Sequence, residues 1–240
     1  MIKISLKLLI FSILVFFLSC ENESDEKSNG NSTAVFNPNV EYGTLIDVEG
    51  NVYKTVTINN KVWMAENLRT KSLNDGTSLR VISDPTEWLN VNSSACCNYN
   101  NTTDNTHIAT YGRLYNGYSV ETDKLAPKGW HVATDKDWFD LIAYVGNWNI
   151  AAIKLKETDS FHWIKDNTLS DNATGLTLLP GGGRYELSKF YGLGEEAEFW
   201  TSTQAENIDH LYSWLVENSY TRASNCHKGL GLSVRCVKNE

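Results

Sequence analysis

The chain has 240 residues, 21 basic against 29 acidic groups and a formal net charge of −8. That length allows one domain of ordinary size plus extra segments, and the acidic balance disfavours nucleic acid or any other polyanion as a partner. No basic cluster stands out to offset it, and no run after residue 18 is apolar enough to cross a membrane.

The first residues read as a targeting segment. Lys3 and Lys7 precede an apolar run, Leu8–Leu18, broken only by Ser12. The run is shorter than the roughly 20 residues a bilayer span needs and has the length of a signal-peptide core. It ends Phe17-Leu18-Ser19-Cys20. A small residue and then cysteine after an apolar core resembles a bacterial lipobox, although Phe17 stands where Leu is usual and Leu18 is bulky. The resemblance implies cleavage after residue 19 and acylation of Cys20, anchoring the chain without inserting it. Loss of residues 1–19 removes two lysines and no acidic residue, leaving 19 basic against 29 acidic groups, a net charge of −10. Residues 20–40 read as a disordered acidic tether. Its start, Glu21-Asn22-Glu23-Ser24-Asp25-Glu26, resembles the acidic signals that send some Bacteroidota lipoproteins to the outer face of the outer membrane.

The folded part, residues 41–240, is expected to open with three short strands. Thr44–Val48 is followed by turn residues, Val52–Ile58 alternates, and Asn59-Asn60 suits a tight hairpin returning through Lys61–Met64. Trp63 and Met64 are assigned to the core. Asn98–His107 is nearly all loop formers and could hold calcium through Asp104 and amide oxygens. It lacks the spaced ligands and closing Glu of an EF-hand loop. No other cofactor is expected.

Ala126–Gly146 is the clearest unit of the chain. Pro127 and Gly129 turn it, Trp130–Val132 runs extended, and Thr134 is placed to cap a helix, with Asp137 completing a shortened capping box. Trp138, Leu141, Ile142 and Val145 form one apolar helix face, and Gly146 stands where a glycine ends the helix. The helix is therefore predicted over about 135–145. Beyond it, Asn149–Lys156 suggests a second short helix. Phe161–Ile164, Leu176–Leu179, Glu198–Thr203, Leu211–Val216 and Leu230–Val237 read as strands. The last alternates, with Leu232, Val234 and Cys236 on one face. Pro180–Arg184 carries a glycine triplet, but no Lys-Ser/Thr or helix follows, so a flexible turn is preferred to a phosphate loop.

Apart from Cys20 the cysteines are Cys96, Cys97, Cys226 and Cys236. An exported chain permits disulfides, with three connectivities among four cysteines. A bond between neighbours Cys96 and Cys97 would be strained. Cys226 and Cys236, ten apart in a segment read as a terminal hairpin, suit a local bridge.

The set of motifs resembles one family. Its parts are Asp47–Val56 with Ile58–Arg69, the Y-G-R-L-Y-N segment from Tyr111 to Asn116, P-K-G-W-H-V-A-T-D-K-D-W from Pro127, L-P-G-G-G-R from Leu179, F-W-T-S-T from Phe199 and G-L-S-V-R-C-V-K from Gly231. In this order and spacing they resemble the Fibrobacter succinogenes major paralogous domain of bacterial surface lipoproteins. The resemblance implies an α+β, C-type-lectin-like fold, related to that of formylglycine-generating enzymes. The family often has Cys before the Pro of P-x-G-W-H, where this chain has Ala126. If that cysteine normally bridges to the one in V-R-C-V, then Cys236 has lost its partner. Cys226 or Cys97 would replace it, or Cys236 would be free.

Catalysis is not expected. No G-x-S-x-G, H-E-x-x-H or C-x-x-C occurs, and Cys226 and His227 would point to opposite faces of a strand. The paired cysteines of formylglycine-generating enzymes are not matched by Cys226 and Cys236. With eight tryptophans and eleven tyrosines, a binding role for a carbohydrate or envelope-protein ligand is favoured. Trp130, Trp138 and Trp200 are assigned to the core, while Trp88, Trp148 and Trp163, beside polar loops, are the ligand-binding candidates. The calcium–sugar motifs of C-type lectins are absent, and a purely structural envelope module is the alternative.

Overall fold

The computed structural model describes residues 31–158, 161–164, 169–185, 187, 189–217 and 220–240. The signal segment, Cys20 and the acidic start of the tether lie outside them. In chain order the elements begin with β1 (Gly43–Ile46), β2 (Val52–Ile58), β3 (Lys61–Met64), β4 (Arg80–Val81), α1 (Pro85–Asn90) and β5 (Ala95–Cys97). There follow α2 (Asn105–Tyr111), β6 (Leu114–Asn116), α3 (Gly117–Val120), β7 (Trp130–Val132), α4 (Asp135–Val145) and α5 (Trp148–Leu155). The chain closes with β8 (Gly181–Arg184), β9 (Phe190–Leu193), β10 (Ala197–Gln204), β11 (His210–Val216), β12 (Thr221–His227), β13 (Gly231–Leu232) and β14 (Cys236–Lys238). Short strands and few helices make this a mixed α+β fold.

Among the described residues three sheets result, ordered β1-β2-β3-β14-β7, β10-β11-β12 and β4-β5-β6-β13-β8-β9. The segment Gly231–Lys238 joins all three. Gly231 and Leu232 pair with β6, and Val237 pairs with both Trp63 and His131. Between these pairings Ser233 meets β10, its N–H bonding Glu198 O at 3.1 Å and its O accepting from Trp200 N at 3.0 Å. The alternation expected there holds, but both faces are buried. Leu232, Val234 and Cys236 enter one core with Tyr53, Met64, Tyr115 and Trp200. Val237 enters a second, with Trp63, Trp138, Phe199 and Trp214. Arg235, fully buried, faces that second side and donates to Asn67 Oδ1 at 2.6 Å, Met64 O and Leu176 O at 2.9 Å and Thr177 O at 3.0 Å. Buried carbonyls that a ladder would leave orphaned thus find a donor. The terminal hairpin is corrected accordingly: the run passes between sheets instead of pairing with its predecessor.

The central helix is as expected. Thr134 and Asp137 form the capping box, Trp138, Leu141, Ile142 and Val145 are buried, and Gly146 ends the helix at φ 135°. Trp63 meets Trp138 edge-on at 5.1 Å. Asn59 and Asn60 make the left-handed β2–β3 turn, at φ 48° and 62°.

Other expectations are corrected. Phe161–Ile164 forms no strand, and Leu176–Leu179 contributes only a bridge, Lys156 to Leu178. Asn105–Tyr111 is helical instead of loop, because Asp104 caps it. The glycine triplet is not a flexible turn but strand β8, buried throughout. A Cβ on Gly182, at φ +59°, would lie 2.1 Å from Tyr191 O, and one on Gly183 would lie 2.5 Å from the Tyr191 ring. Only glycine permits that approach of β9. Residues 33–42 dock on the domain. Thr33 Oγ1 meets His162 Nε2 at 2.9 Å, Val35 N donates to Glu157 Oε1 at 2.6 Å, and Phe36, Val40 and Tyr42 pack on the core. His162 Nδ1 in turn lies 2.7 Å from Glu157 Oε2, and both residues are buried.

Candidate functional site

Of the three tryptophans proposed for binding, Trp148 alone faces solvent. Asn147 caps α5, its side chain accepting from Asn149 N and Ile150 N, which fixes Trp148 as the first helical residue. Ala151, Ala152 and Leu155 bury the inner face of α5. Thr221 Oγ1 donates to Trp148 O at 3.1 Å, tying the helix start to β12. The indole then lies flat on Trp214, centroids 5.1 Å apart and planes 5° apart. Trp214 is stacked in turn on Trp138 at 6.3 Å, and its Nε1 donates to Asp135 Oδ1 at 2.7 Å. A column of rings thus runs from the core to the surface. One face of Trp148 is held by Trp214, and the residue remains 40% exposed.

The strand register extends this face. Tyr212 lies two residues from Trp214 on β11, on the same side, opposite Asn225 of β12. Ala223 stands opposite Trp214, and His210 opposite His227. Ala223 and Asn225 are exposed, and Tyr212, His210 and His227 are half-buried. The sheet face that continues from the indole thus carries a hydroxyl and an amide, with two imidazoles at its far end. A flat apolar ring on a face with hydrogen-bonding side chains fits the C–H face of a sugar ring or a small apolar protein anchor.

The other two candidates are corrected. Trp88 is 1% exposed, its Nε1 donating to Gly229 O at 3.0 Å beneath the Arg184 guanidinium. Trp163 is 0% exposed, its Nε1 donating to Leu178 O at 3.1 Å, with the Lys156 ammonium over the ring. Their polar sequence neighbours concealed that each indole N–H has a carbonyl partner inside the core. Of the residues assigned to the core, Trp138 and Trp200 are fully buried and Trp130 is half-buried.

Asp104 accepts from Thr106 N at 2.8 Å as the cap of α2. Among the described residues no group of three or more His, Cys, Asp or Glu is placed to hold a metal ion. Cys96, Cys97, Cys226 and Cys236 are free thiols, which corrects the disulfide between Cys226 and Cys236. Cys226 and Cys236 belong to different sheets, on β12 and β14. Burial pushes the thiols of Cys96 and Cys97 up to about 12 and about 11.

A cluster that the sequence did not suggest lies on the other face of the β10–β12 sheet. Glu198 accepts from Tyr191 OH at 2.7 Å and Ser213 Oγ at 3.1 Å, and the Cys226 thiol points at it from 3.6 Å. Burial and then the Glu198 charge push Cys226 up to about 11. At neutral pH it is a protonated donor, not a thiolate nucleophile. Read as half of a terminal hairpin with Leu230–Val237, the polar segment around Cys226 gives no sign in sequence that it lies beside Glu198.

The architecture is that of a mixed α+β domain carrying an exposed, ring-backed tryptophan on a sheet face. The family model described as the Fibrobacter succinogenes major domain matches residues 56–238, and the chain belongs to that family. No curated protein and no solved structure matches the chain significantly.

Proposed function

We propose that the protein is a non-catalytic, lipid-anchored component of a bacterial cell envelope, held at the outer membrane through Cys20. It presents a C-type-lectin-like domain that binds a carbohydrate or protein ligand on the Trp148 face. The observation that carries this reading is the parallel stack of Trp148 on Trp214. An indole so held loses little freedom on binding, which lowers the entropic cost of ligation. The protonated state of Cys226 supports the non-catalytic part. The apolar run before Cys20 supports the anchor, and the acidic balance speaks against nucleic acid.

A structural role in an envelope assembly is the second reading, favoured by β12. This seven-residue strand is the edge of its sheet and exposes Arg222, Ala223 and Asn225. Unpaired edges of that length are ready templates for another chain.

Thermal-shift measurements on the full chain in mild non-ionic detergent separate the two. A saccharide that binds the native state at 100 times its dissociation constant adds about 2.7 kcal/mol of stability. Such a shift, lost in Trp148→Ala, is the expected result. A flat response to every saccharide, with capture of a specific envelope protein that Trp148→Ala leaves intact, would replace ligand binding by assembly.

A further inference from the structure

Away from the Trp148 face, a cleft of about 620 Å³ opens between the turn after β1, the segment following β3 and the helix α2. Its cations are Arg69, Lys71 and Arg113. Arg69 is spoken for: it is buried, bonds Val52 O and lies 3.6 Å from Glu66. Arg113 is held by Arg69 O and Asn98 Oδ1, neither of which carries charge. Lys71 fixes its place through the backbone, its N–H donating to Glu49 Oε2 at 3.1 Å. Among the described residues neither the Lys71 nor the Arg113 side chain forms an ion pair with a carboxylate. Glu49, the acid of the cleft, has both oxygens occupied, Oε1 accepting from Ser72 Oγ at 2.8 Å.

In a chain of net charge −8, Lys71 and Arg113 against the single carboxylate of Glu49 leave this cleft locally positive, a reversal of sign. The remaining lining is suited to more than a bare ion. Asn51 and Asn105 bring amides, and Ile108 and Ala109 bring an apolar patch. The volume lies in the range of small-ligand sites. We infer that this cleft is an acidic-saccharide site, in which Lys71 and Arg113 receive the carboxylate of a uronate ring while the amides take its hydroxyls and Ile108 its C–H face. Arg113 supplies a planar fork for the carboxylate, and Lys71 a mobile point charge.

The test is calorimetric titration of the full chain in non-ionic detergent with trigalacturonate and, separately, with its methyl ester, which has the same rings without charge. Trigalacturonate is expected to bind, more weakly as sodium chloride rises, and the ester not to. Lys71→Glu, a change at an exposed side chain, should weaken binding at least about tenfold while leaving the circular dichroism spectrum unchanged. Trp148→Ala should leave this binding intact, which keeps the result independent of the proposed function. Absence of binding, equal binding of acid and ester, or indifference to Lys71→Glu would each overturn the assignment. So would displacement of trigalacturonate by an equal concentration of inorganic sulfate, which would show that the cleft reads only a bare anion.

Discussion

Thr134 and Asp137 show how one short motif serves fold and electrostatics together. Thr134 Oγ1 accepts from Asp137 N at 3.0 Å while Asp137 Oδ2 accepts from Thr134 N at 2.9 Å. Loss of the cap in Thr134→Ala is expected to cost about 1 kcal/mol in urea unfolding. Asp137 is also held by His131 Nε2 at 3.0 Å and Lys61 Nζ at 2.7 Å. Burial alone would raise its carboxyl, but these partners outweigh it and hold it well below the usual range. The same contact raises His131. The stability due to Asp137 is present above the ordinary carboxylate value, about 4, and is lost as pH falls through its lowered folded value. That due to His131 is complete below about 6.5 and is lost as pH rises through its raised folded value. The difference in unfolding midpoint between the native chain and His131→Gln should therefore be larger near pH 5 than near pH 9.

The segment Gly231–Lys238 and the glycine strand β8 are where element and fold depend on each other most. Arg235→Met keeps the volume but strands the four acceptors that Arg235 satisfies, each costing about 1–3 kcal/mol if left unpaired. Complete loss of cooperative unfolding is the expected outcome by near-ultraviolet circular dichroism. Burial lowers the Arg235 guanidinium to about 9, so it remains charged at neutral pH. Gly182→Ala meets both a left-handed φ and the carbonyl of Tyr191, and is expected to destabilise by about 1–3 kcal/mol. The docked strap depends on Glu157 and His162 in the same way. His162→Ala removes the ring between Glu157 and Thr33, so faster hydrogen exchange at the Val35 amide is expected, with the central helix unaffected.

Among the described residues three buried clusters and three sheets share one chain, and the last strand contributes to two of the clusters. A domain of this size with several buried apolar clusters has no need of a bridge between Cys226 and Cys236. Mass spectrometry after alkylation in denaturant, with no reductant added, should find Cys96, Cys97, Cys226 and Cys236 all modified. Resistance of any pair to alkylation would contradict the free thiols of the structure. In the native state burial should shield Cys96, Cys97 and Cys236, leaving Cys226 the first to react.

The sequence by itself determined the elements whose signals are local. Thr134, the apolar face of α4 and Gly146 specify a helix through caps and a 3.6-residue period, and Asn59-Asn60 specifies a turn through backbone conformation. The motifs from Asp47 to Lys238 likewise carried the family. What depended on distant partners was decided only in the tertiary structure. Trp88 and Trp163 are buried because Gly229 and Leu178 offer carbonyls to their indoles, whereas Trp148 is exposed because it stacks last on a column of rings. β12 is a strand because β11 pairs with it, despite its polar sequence, and the glycine triplet is a strand because Tyr191 lies against it. Lys71 and Arg113, 42 positions apart in the chain, share a cleft for the same reason: burial and pairing are properties of contacts, and most of these contacts join residues remote in sequence.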